Sequence, residues 1–217
     1  MFEGRDLACL RGERLVFGGV DFALSAGEAL LVTGANGSGK SSLLRVMAGL
    51  LRPVTGTLHW RDRPVAEDRE AFAADLRYVG HLDAIKPVLT VSENLAFWAR
   101  LAGQGPDAVA RGLEALGIGH LAGLPARVLS AGQRRRLGLA RLIAAPAPLW
   151  LLDEPTVALD TASVAAVEAA IAEHRATGGI AVVSTNAPVS LPEARRLVMD
   201  EAESLDAEAA ETVADGW

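Results

Sequence analysis

The stretch GANGSGKS, residues 34–41, decides the fold of this chain. It matches the pattern G-x-x-x-x-G-K-[ST]; a continuous apolar run, residues 29–32, precedes it, and a helical pattern, KSSLLRVMAGLL, follows. Glycines adopt positive φ angles and let backbone N–H groups approach a phosphate closely. A helix that begins at such a turn favours negative charge at its N-terminus. We therefore interpret the stretch as a phosphate-binding loop between a buried strand and a helix.

The residue types in this loop predict how it binds the phosphates of a nucleotide. Lys40 is expected to bridge the β- and γ-phosphates, and the hydroxyl of Ser41 is expected to bind Mg²⁺. Ser42 is expected to lie beside the α- and β-phosphates. The other candidate nucleotide-binding residues of the loop are Gly34, Asn36, Gly37, Ser38 and Gly39.

A second motif, PLWLLDEP, supplies two carboxylates at the end of a predicted strand. Asp153 is a candidate Mg²⁺ ligand, acting directly or through water. Glu154 is the candidate catalytic residue, because a carboxylate at this point can polarise an attacking water. Taken alone, two acids at a strand end are as often ordinary solvated residues, so this prediction depends on the phosphate loop.

Strand-like and helical patterns alternate at both ends of the chain, which predicts an α/β fold with a mainly parallel sheet. Alternation over residues 15–24 predicts an antiparallel β portion near the N-terminus, and GTLHWRDRPV predicts a hairpin that turns at RDR. LPEARRLVMD predicts a short helix and a strand. We predict one domain, 1–217, in which residues 1–82 and 134–217 form the core and residues 83–133 form an inserted helical subdomain.

Composition excludes several classes of protein. No run reaches the roughly 18 apolar residues that a membrane-spanning helix needs, and the N-terminus is too charged for a signal peptide. Cys9 is the only cysteine, so no intramolecular disulfide is expected. The formal net charge of −6 argues against a nucleic-acid partner. The acidic segment 200–216 contains no Lys or Arg and is expected to be a solvated tail.

The stretch LSAGQ, residues 129–133, narrows the function. The order GANGSGKS, LSAGQ, LWLLDEP and ALD resembles the ATP-binding cassette ATPases over essentially the whole chain. The resemblance implies a P-loop NTPase (RecA-like) core and a head-to-tail homodimer that encloses two ATP molecules. Ser130 precedes a helix, so its hydroxyl and the N–H groups of Gly132 and Gln133 predict a second anion site. In the family this site caps the γ-phosphate held by the partner, and Asp160 lies at the interface.

A closer resemblance is to the ATP-binding subunits of the haem exporter of cytochrome c maturation. Arg11 occupies the place where most cassettes stack an aromatic ring on adenine; the alternative is a solvated surface arginine. His81, in YVGHL, replaces the usual glutamine of the Q-loop; the alternative is a structural histidine. The resemblance implies integral membrane subunits as partners and a peripheral location at the cytoplasmic face of the inner membrane. No residue pattern indicates a haem site on this chain.

Asn186, in VVSTNAP, departs from the family, which carries a histidine there to reach the γ-phosphate. An amide donates only a neutral hydrogen bond, so hydrolysis slows roughly 5- to 150-fold if about 1–3 kcal/mol of transition-state binding is lost. Alternatively, Glu154 suffices for catalysis and Asn186 holds geometry. The hypotheses are therefore a transport ATPase, a slowly hydrolysing regulatory dimerisation module, or a subunit of another small exporter. A soluble cassette protein of DNA repair or translation is disfavoured, because the chain has neither a long insertion nor a second cassette.

Overall fold

The computed structural model describes residues 1–199 of the chain. The predicted solvated tail, residues 200–216, lies outside this part. The strands are β1 (Phe2–Arg11), β2 (Arg14–Leu24), β3 (Ala29–Gly34), β4 (Thr55–Trp60), β5 (Arg63–Pro64), β6 (Leu76–Val79), β7 (Leu149–Asp153), β8 (Ile180–Ser184) and β9 (Arg195–Met199). The helices are α1 (Lys40–Met47), α2 (Arg69–Ala74), α3 (Val91–Leu101), α4 (Pro106–Ala115), α5 (Ala131–Ala144) and α6 (Thr161–Ala176).

The central sheet has five strands in the order β6-β7-β8-β3-β9. Every neighbouring pair in it is parallel. The second sheet has four strands in the order β2-β1-β4-β5, and its pairs are antiparallel. The predicted α/β class with a mainly parallel sheet and an antiparallel β portion is confirmed.

The central sheet is buried on both faces, as a parallel sheet covered by helices must be. Alternate residues of β7 show this: Leu149 and Leu151 join one core with α1 and the antiparallel sheet. Trp150 and Leu152 join the other core with α3, α4, α5 and α6. Because side chains alternate along a strand, one continuous apolar run serves two cores.

The antiparallel sheet corrects the sequence interpretation in one respect. Strand β1 was not predicted, because its charged residues mask the alternation of buried side chains such as Phe2, Leu7 and Cys9. Strand β2 buries the predicted side chains, and the irregular step from Phe17 to Val20 coincides with an irregularity in its pairing with β1. The hairpin of β4 and β5 turns at Arg61 and Asp62, both at positive φ.

The helical region packs on one face of the central sheet. Helix α5 contacts both α3 and α4 and begins at Ala131, so the predicted subdomain boundary at residue 133 falls in its first turn. The predicted short helix before β9 is wrong: residues 191–194 form a turn, and no helical pattern of apolar residues supports a longer element. Within residues 1–199, none of the helices is both long and apolar enough to cross a membrane.

Candidate functional site

The predicted site residues lie where three neighbouring strands of the central sheet end. Strand β3 leads into the phosphate loop, β7 ends at Asp153, and β8 ends at Ser184. Because these strands are parallel, their carboxyl ends meet at one edge of the sheet. This topology brings together residues that are more than one hundred positions apart in the sequence.

The phosphate loop opens directly into helix α1. Its N-cap is Gly39, at φ 95°, and no side chain caps the helix. A Cβ atom at this position would lie 2.8 Å from Cγ1 of Val16, so glycine is required by space as well as by conformation. Lys40 follows, and its Nζ donates to the carbonyl oxygens of Gly34 (2.8 Å) and Ala35 (2.9 Å). The ammonium group thus lies over the loop, and the first N–H groups of α1 have no side-chain acceptor.

Other residues of the loop are arranged around this helix end. Ser38 is buried, and its Oγ has no hydrogen-bond partner among residues 1–199. Gly37 is at φ 88°, with open space beyond the position of a Cβ. Ser42 is buried in the first turn of α1. A buried hydroxyl without a partner next to an uncapped helix end fits a ligand with several acceptor oxygens.

Asp153 is fully buried at the end of β7, where it contacts α1 and β8. Its Oδ1 accepts hydrogen bonds from Oγ of Ser41 (3.0 Å) and Oγ of Ser184 (2.6 Å). Its Oδ2 is buried and has no partner among the described residues. An unpaired carboxylate oxygen beside a serine hydroxyl fits Mg²⁺, which keeps waters and phosphate oxygens and takes one or two protein ligands. Residues 1–199 contain no group of three or more His, Cys, Asp or Glu side chains that could hold a metal ion.

Glu154 occupies a strained backbone position one residue beyond β7. Its φ is 48°, in the left-handed region that non-glycine residues rarely adopt. Its N–H donates to the carbonyl oxygen of Ser184 (2.9 Å), which ties the turn to β8. Its Oε2 accepts from the backbone N–H of Asn186 at 3.3 Å. Strain of this kind costs about 1–3 kcal/mol and collects at functional sites.

Asn186 connects the carboxylate of Glu154 with the loop before α1. Its backbone contacts Glu154, and its side-chain Nδ2 donates to Oδ1 of Asn36. The structure therefore brings Asn186 and Asn36 together, a pair that the sequence did not predict. The position of Asn186 at the γ-phosphate stays a prediction.

The LSAGQ motif forms a closed helix end. Ser130 is the N-cap of α5: its Oγ accepts from the N–H of Gln133 (3.2 Å), and its own N–H donates to Oε1 of Gln133 (2.8 Å). One of the N–H groups predicted to bind an anion is thus used inside the motif. A Cβ on Gly132 would lie 2.8 Å from the carbonyl oxygen of Ala158, so glycine lets the motif approach the ALD segment closely.

Asp160 caps its own helix, α6. Its Oδ1 accepts from the N–H of Ser163 at 2.7 Å. Hydrogen bonds from the side chain of Ser163 first, and from its backbone second, lower the pKa of the Asp160 carboxyl group. Its side chain is exposed, as a residue at a dimer interface would be in a single chain. The predicted interface role remains a prediction.

Arg11 and His81 are both exposed. Arg11 ends β1 and pairs with Arg14 across the β1–β2 hairpin, in the same sheet as Val16, which lies against Gly39. His81 follows β6, at the same edge of the central sheet as Asp153. The nucleotide contact of Arg11 and the Q-loop role of His81 stay predictions.

Arg135 was missed as a functional candidate. It is buried, and its guanidinium contacts the segment after β7. Successive residues of a helix point about 100° apart, so the run Arg134, Arg135 and Arg136 covers about 200° of the surface of α5. A basic run this wide was the signal, in the sequence, to consider that one arginine is buried.

Comparison with known proteins agrees with this geometry. The family model described as ABC transporter matches residues 17–157, which include both the phosphate loop and Glu154. The chain belongs to the ABC transporter family. The ATP-binding proteins of this family are ATPases, and the matched residues include the loop before α1, Asp153 and Glu154.

Relatives and solved structures extend the comparison. The cytochrome c biogenesis ATP-binding export protein CcmA of Rhodospirillum rubrum is 59% identical and covers 92% of this chain and 86% of its own. The protein of the same name from Paramagnetospirillum magneticum is 55% identical, with coverages of 92% and 94%. A solved ATP-binding subunit of an ABC transporter superposes with a TM-score of 0.83 at 21% identity, covering 100% and 95%. A dimeric ATP-binding cassette with bound ADP and Pi superposes with a TM-score of 0.79 at 22% identity. The match covers 94% of this chain and 96% of that chain. At these identities the structures support the fold alone.

Proposed function

We propose that this chain is the ATP-hydrolysing subunit of a membrane export complex in cytochrome c biogenesis, with haem as its cargo. The observation that carries the proposal is the convergence of an uncapped helix end, Lys40 and the Asp153–Glu154 pair at one sheet edge. The name of the relatives at 55–59% identity supports the biogenesis role.

The residues of this edge have complementary tasks in hydrolysis. The N–H groups of α1 and Nζ of Lys40 hold the phosphates and the charge that develops on them. Asp153, with Ser41, would hold Mg²⁺, which when bound neutralises charge on the transferred phosphoryl group. Oε1 or Oε2 of Glu154 orients the attacking water and accepts its proton. The backbone N–H of Asn186 holds the Glu154 carboxylate in place.

We further propose that two copies close head-to-tail, with LSAGQ of one chain facing the phosphate loop of the other. The exposed Ser130 and Asp160 support this arrangement, because both lie on the surface of the single chain. Integral membrane subunits would dock on the helical region and hold the chain at the cytoplasmic face of the inner membrane. Large apolar side chains exposed in and around that region support such docking: Leu82, Val88, Phe97, Leu101, Leu124 and Val128.

The ATPase test compares the wild type with Glu154→Gln and Lys40→Ala, with Lys86→Ala as the matched control. Lys86 is the only other lysine and is exposed, so its substitution should leave hydrolysis unchanged. Glu154→Gln should lower kcat by about 10²–10⁴-fold, the usual contribution of a positioned general base. Equal rates of phosphate release from wild type and Glu154→Gln would contradict the proposed activity.

The biological test is complementation of a strain that lacks its own ATP-binding export subunit. The wild-type gene should restore haem-stained c-type cytochromes, and Glu154→Gln should not. Restoration by Glu154→Gln would show that hydrolysis is not needed for the process.

A second candidate function, a regulatory module that dimerises on ATP and hydrolyses it slowly, is favoured by Asn186. Single-turnover assays of wild type, Glu154→Gln and Asn186→His separate the two. A transport ATPase predicts that wild type is much faster than Glu154→Gln. The regulatory module predicts that wild type is as slow as Glu154→Gln and that Asn186→His restores turnover.

A further inference from the structure

Arg135, in the second turn of α5, is a buried cation that contacts two separate segments, residues 153–155 and residues 80–83. It is 5% exposed. Its three guanidinium nitrogens donate five hydrogen bonds, and all five acceptors lie outside its own helix. They are the carbonyl oxygens of Asp153 (2.7 Å), Glu154 (2.9 Å), Pro155 (3.3 Å) and Gly80 (2.8 Å), and Oδ1 of Asp83 (3.0 Å).

The first three acceptors define the backbone around the catalytic carboxylate. Glu154 is in the left-handed region, a conformation that persists only where the surroundings fix it. Its N–H is fixed by Ser184. Arg135 fixes the carbonyl groups before, at and after the strained residue. By fixing this backbone, the guanidinium of Arg135 fixes the orientation of the Glu154 side chain.

The other two acceptors lie in the segment that follows β6. Arg135 Nη1 contacts the carbonyl oxygen of Gly80 and the carboxylate of Asp83, which flank His81. Asp83 also lies against α5 at Gly138, where a Cβ would come within 3.2 Å of its Oδ1. The glycine one turn beyond Arg135 thus makes room for the ion pair.

The other arginines of α5 contact different segments. Arg134 donates to Leu129 O at the start of its own helix, and Arg136 reaches Leu116 O and Gly117 O at the end of α4. Arg141 is as buried as Arg135 but contacts the Tyr78 carbonyl and the ring of Trp98. Of these four arginines, Arg135 is the one that contacts the backbone of Glu154.

We propose that Arg135 is a positioning residue for ATP hydrolysis. It links the helix that begins at LSAGQ to the backbone of Glu154 and to the segment 80–83. A shift of α5 therefore changes the direction of the catalytic carboxylate. The inference rests on the proposed ATPase function.

The test measures kcat and KM for Mg-ATP in the full chain, with the melting temperature recorded for each variant. Arg135→Gln removes the charge and the forked donor. It should lower kcat by about 100-fold, because a displacement near 1 Å of a reacting group has an effect of this order. KM should stay within about threefold, since Arg135 touches no residue of the phosphate loop. Arg135→Lys keeps the charge without the fork and should lower kcat by about tenfold.

Arg141→Gln is the matched control, because it removes an equally buried arginine from the same helix without touching the site. It should lower the melting temperature as much as Arg135→Gln and leave kcat within about threefold. Asp83→Asn should lower kcat less than Arg135→Gln, since four of the five hydrogen bonds remain.

Glu154→Gln in the same assay distinguishes failure of the proposed ATPase function from failure of the positioning role of Arg135. A wild-type rate no higher than that of Glu154→Gln would overturn the ATPase function itself. A wild type well above Glu154→Gln, with Arg135→Gln and Arg135→Lys both behaving like Arg141→Gln, would overturn the positioning role alone. A rise of KM in proportion to the loss of kcat would also overturn it.

Discussion

Two helices of this chain begin at signature motifs, and their N-termini are built differently. Helix α1 has a glycine N-cap and no side-chain cap. Helix α5 has a complete capping box, in which Ser130 and Gln133 satisfy each other's N–H groups. Neither helix has an acidic residue in its first turn, so both ends keep the positive end of the helix dipole uncompensated.

The difference shows which end is ready for an anion in a single chain. A side-chain cap is worth about 1 kcal/mol, and α1 forgoes that stabilisation. Its free N–H groups fit phosphate as they stand. The N–H of Gln133 becomes available only when the capping box of α5 opens. In a single chain, therefore, the N–H groups at the start of α1 are open to an anion, whereas the N–H of Gln133 at the start of α5 is occupied.

The largest effect is expected from closing the open end of α1 with Gly39→Ser. The new side chain would be strained at φ 95°, would press on Val16 and would offer its own oxygen to the helix N–H groups. A combined loss of about 3 kcal/mol predicts an ATP affinity about 100-fold lower. Fluorescent-nucleotide titration measures it.

Gly103→Ser is the control for the conformational strain. Gly103 is also at positive φ, 67°, but open space surrounds it and it lies outside the site. The Gly103→Ser substitution should lower the stability of the fold and leave the affinity for ATP unchanged. If wild type and Gly39→Ser bind ATP with equal affinity, the uncapped N-terminus of α1 is not what binds the nucleotide.

A smaller effect is expected from opening the cap of α5 with Ser130→Ala. Stability should fall by about 1 kcal/mol, or about 2–4 °C in melting temperature. ATP affinity of the single chain should not change, because Ser130 lies outside its own phosphate loop. Hydrolysis should fall about tenfold if the hydroxyl contacts a phosphate held by the partner.

Thr90→Ala supplies the matched control, since Thr90 and Glu93 form the same capping box at α3. It should cost similar stability and leave hydrolysis intact. If both cap variants slow hydrolysis to the same extent, the effect of Ser130 is one of stability.

The sequence predicted the phosphate loop at the start of α1 but not the hydrogen bonds between distant segments around Glu154. The phosphate loop is a local pattern, so Lys40 and Ser41 could be identified from spacing alone. The position of Asp153 followed from a buried strand that ends in an acid. By contrast, the contacts of Arg135 and the Asn186–Asn36 pair join distant segments, and a single sequence carries no information on which segments meet. Strand β1 was missed because its charged residues, together with the irregular pairing with β2, mask the alternation of its buried side chains.

The smallest effect concerns His174, at the far end of α6 from both motifs. It stacks on Trp150 at 3.9 Å, and burial lowers its pKa below the ordinary 6.5 despite hydrogen bonds to carbonyl oxygens. The unfolded chain therefore takes up this proton first as pH falls. The contribution of neutral His174 to the free energy of unfolding should be fully present above pH 6.5. It should decline as the pH falls from 6.5 to the lower pKa of the folded state.

Chemical denaturation between pH 5.5 and 7.5 measures this decline. His174→Phe keeps an aromatic ring against Trp150 and should flatten the pH dependence, whereas exposed His120→Gln should preserve it. An unchanged slope in His174→Phe would contradict the assignment. Neither substitution should change ATP affinity, because His174 and His120 lie away from the N-termini of α1 and α5. The expected effect is on stability alone.

The most direct test of this arrangement is a mixture of two variants with impaired hydrolysis, Lys40→Ala and the roughly tenfold slower Ser130→Ala, followed over the time of one wild-type turnover. In a head-to-tail dimer, the mixed pair combines Lys40 of one chain with Ser130 of the other and so restores one intact site. A single-turnover assay of the mixture should release about one phosphate per mixed dimer, well above the sum of the two variants measured separately. Release no greater than that sum would contradict the claim that the open end of α1 and the capped end of α5 act on one ATP from two chains.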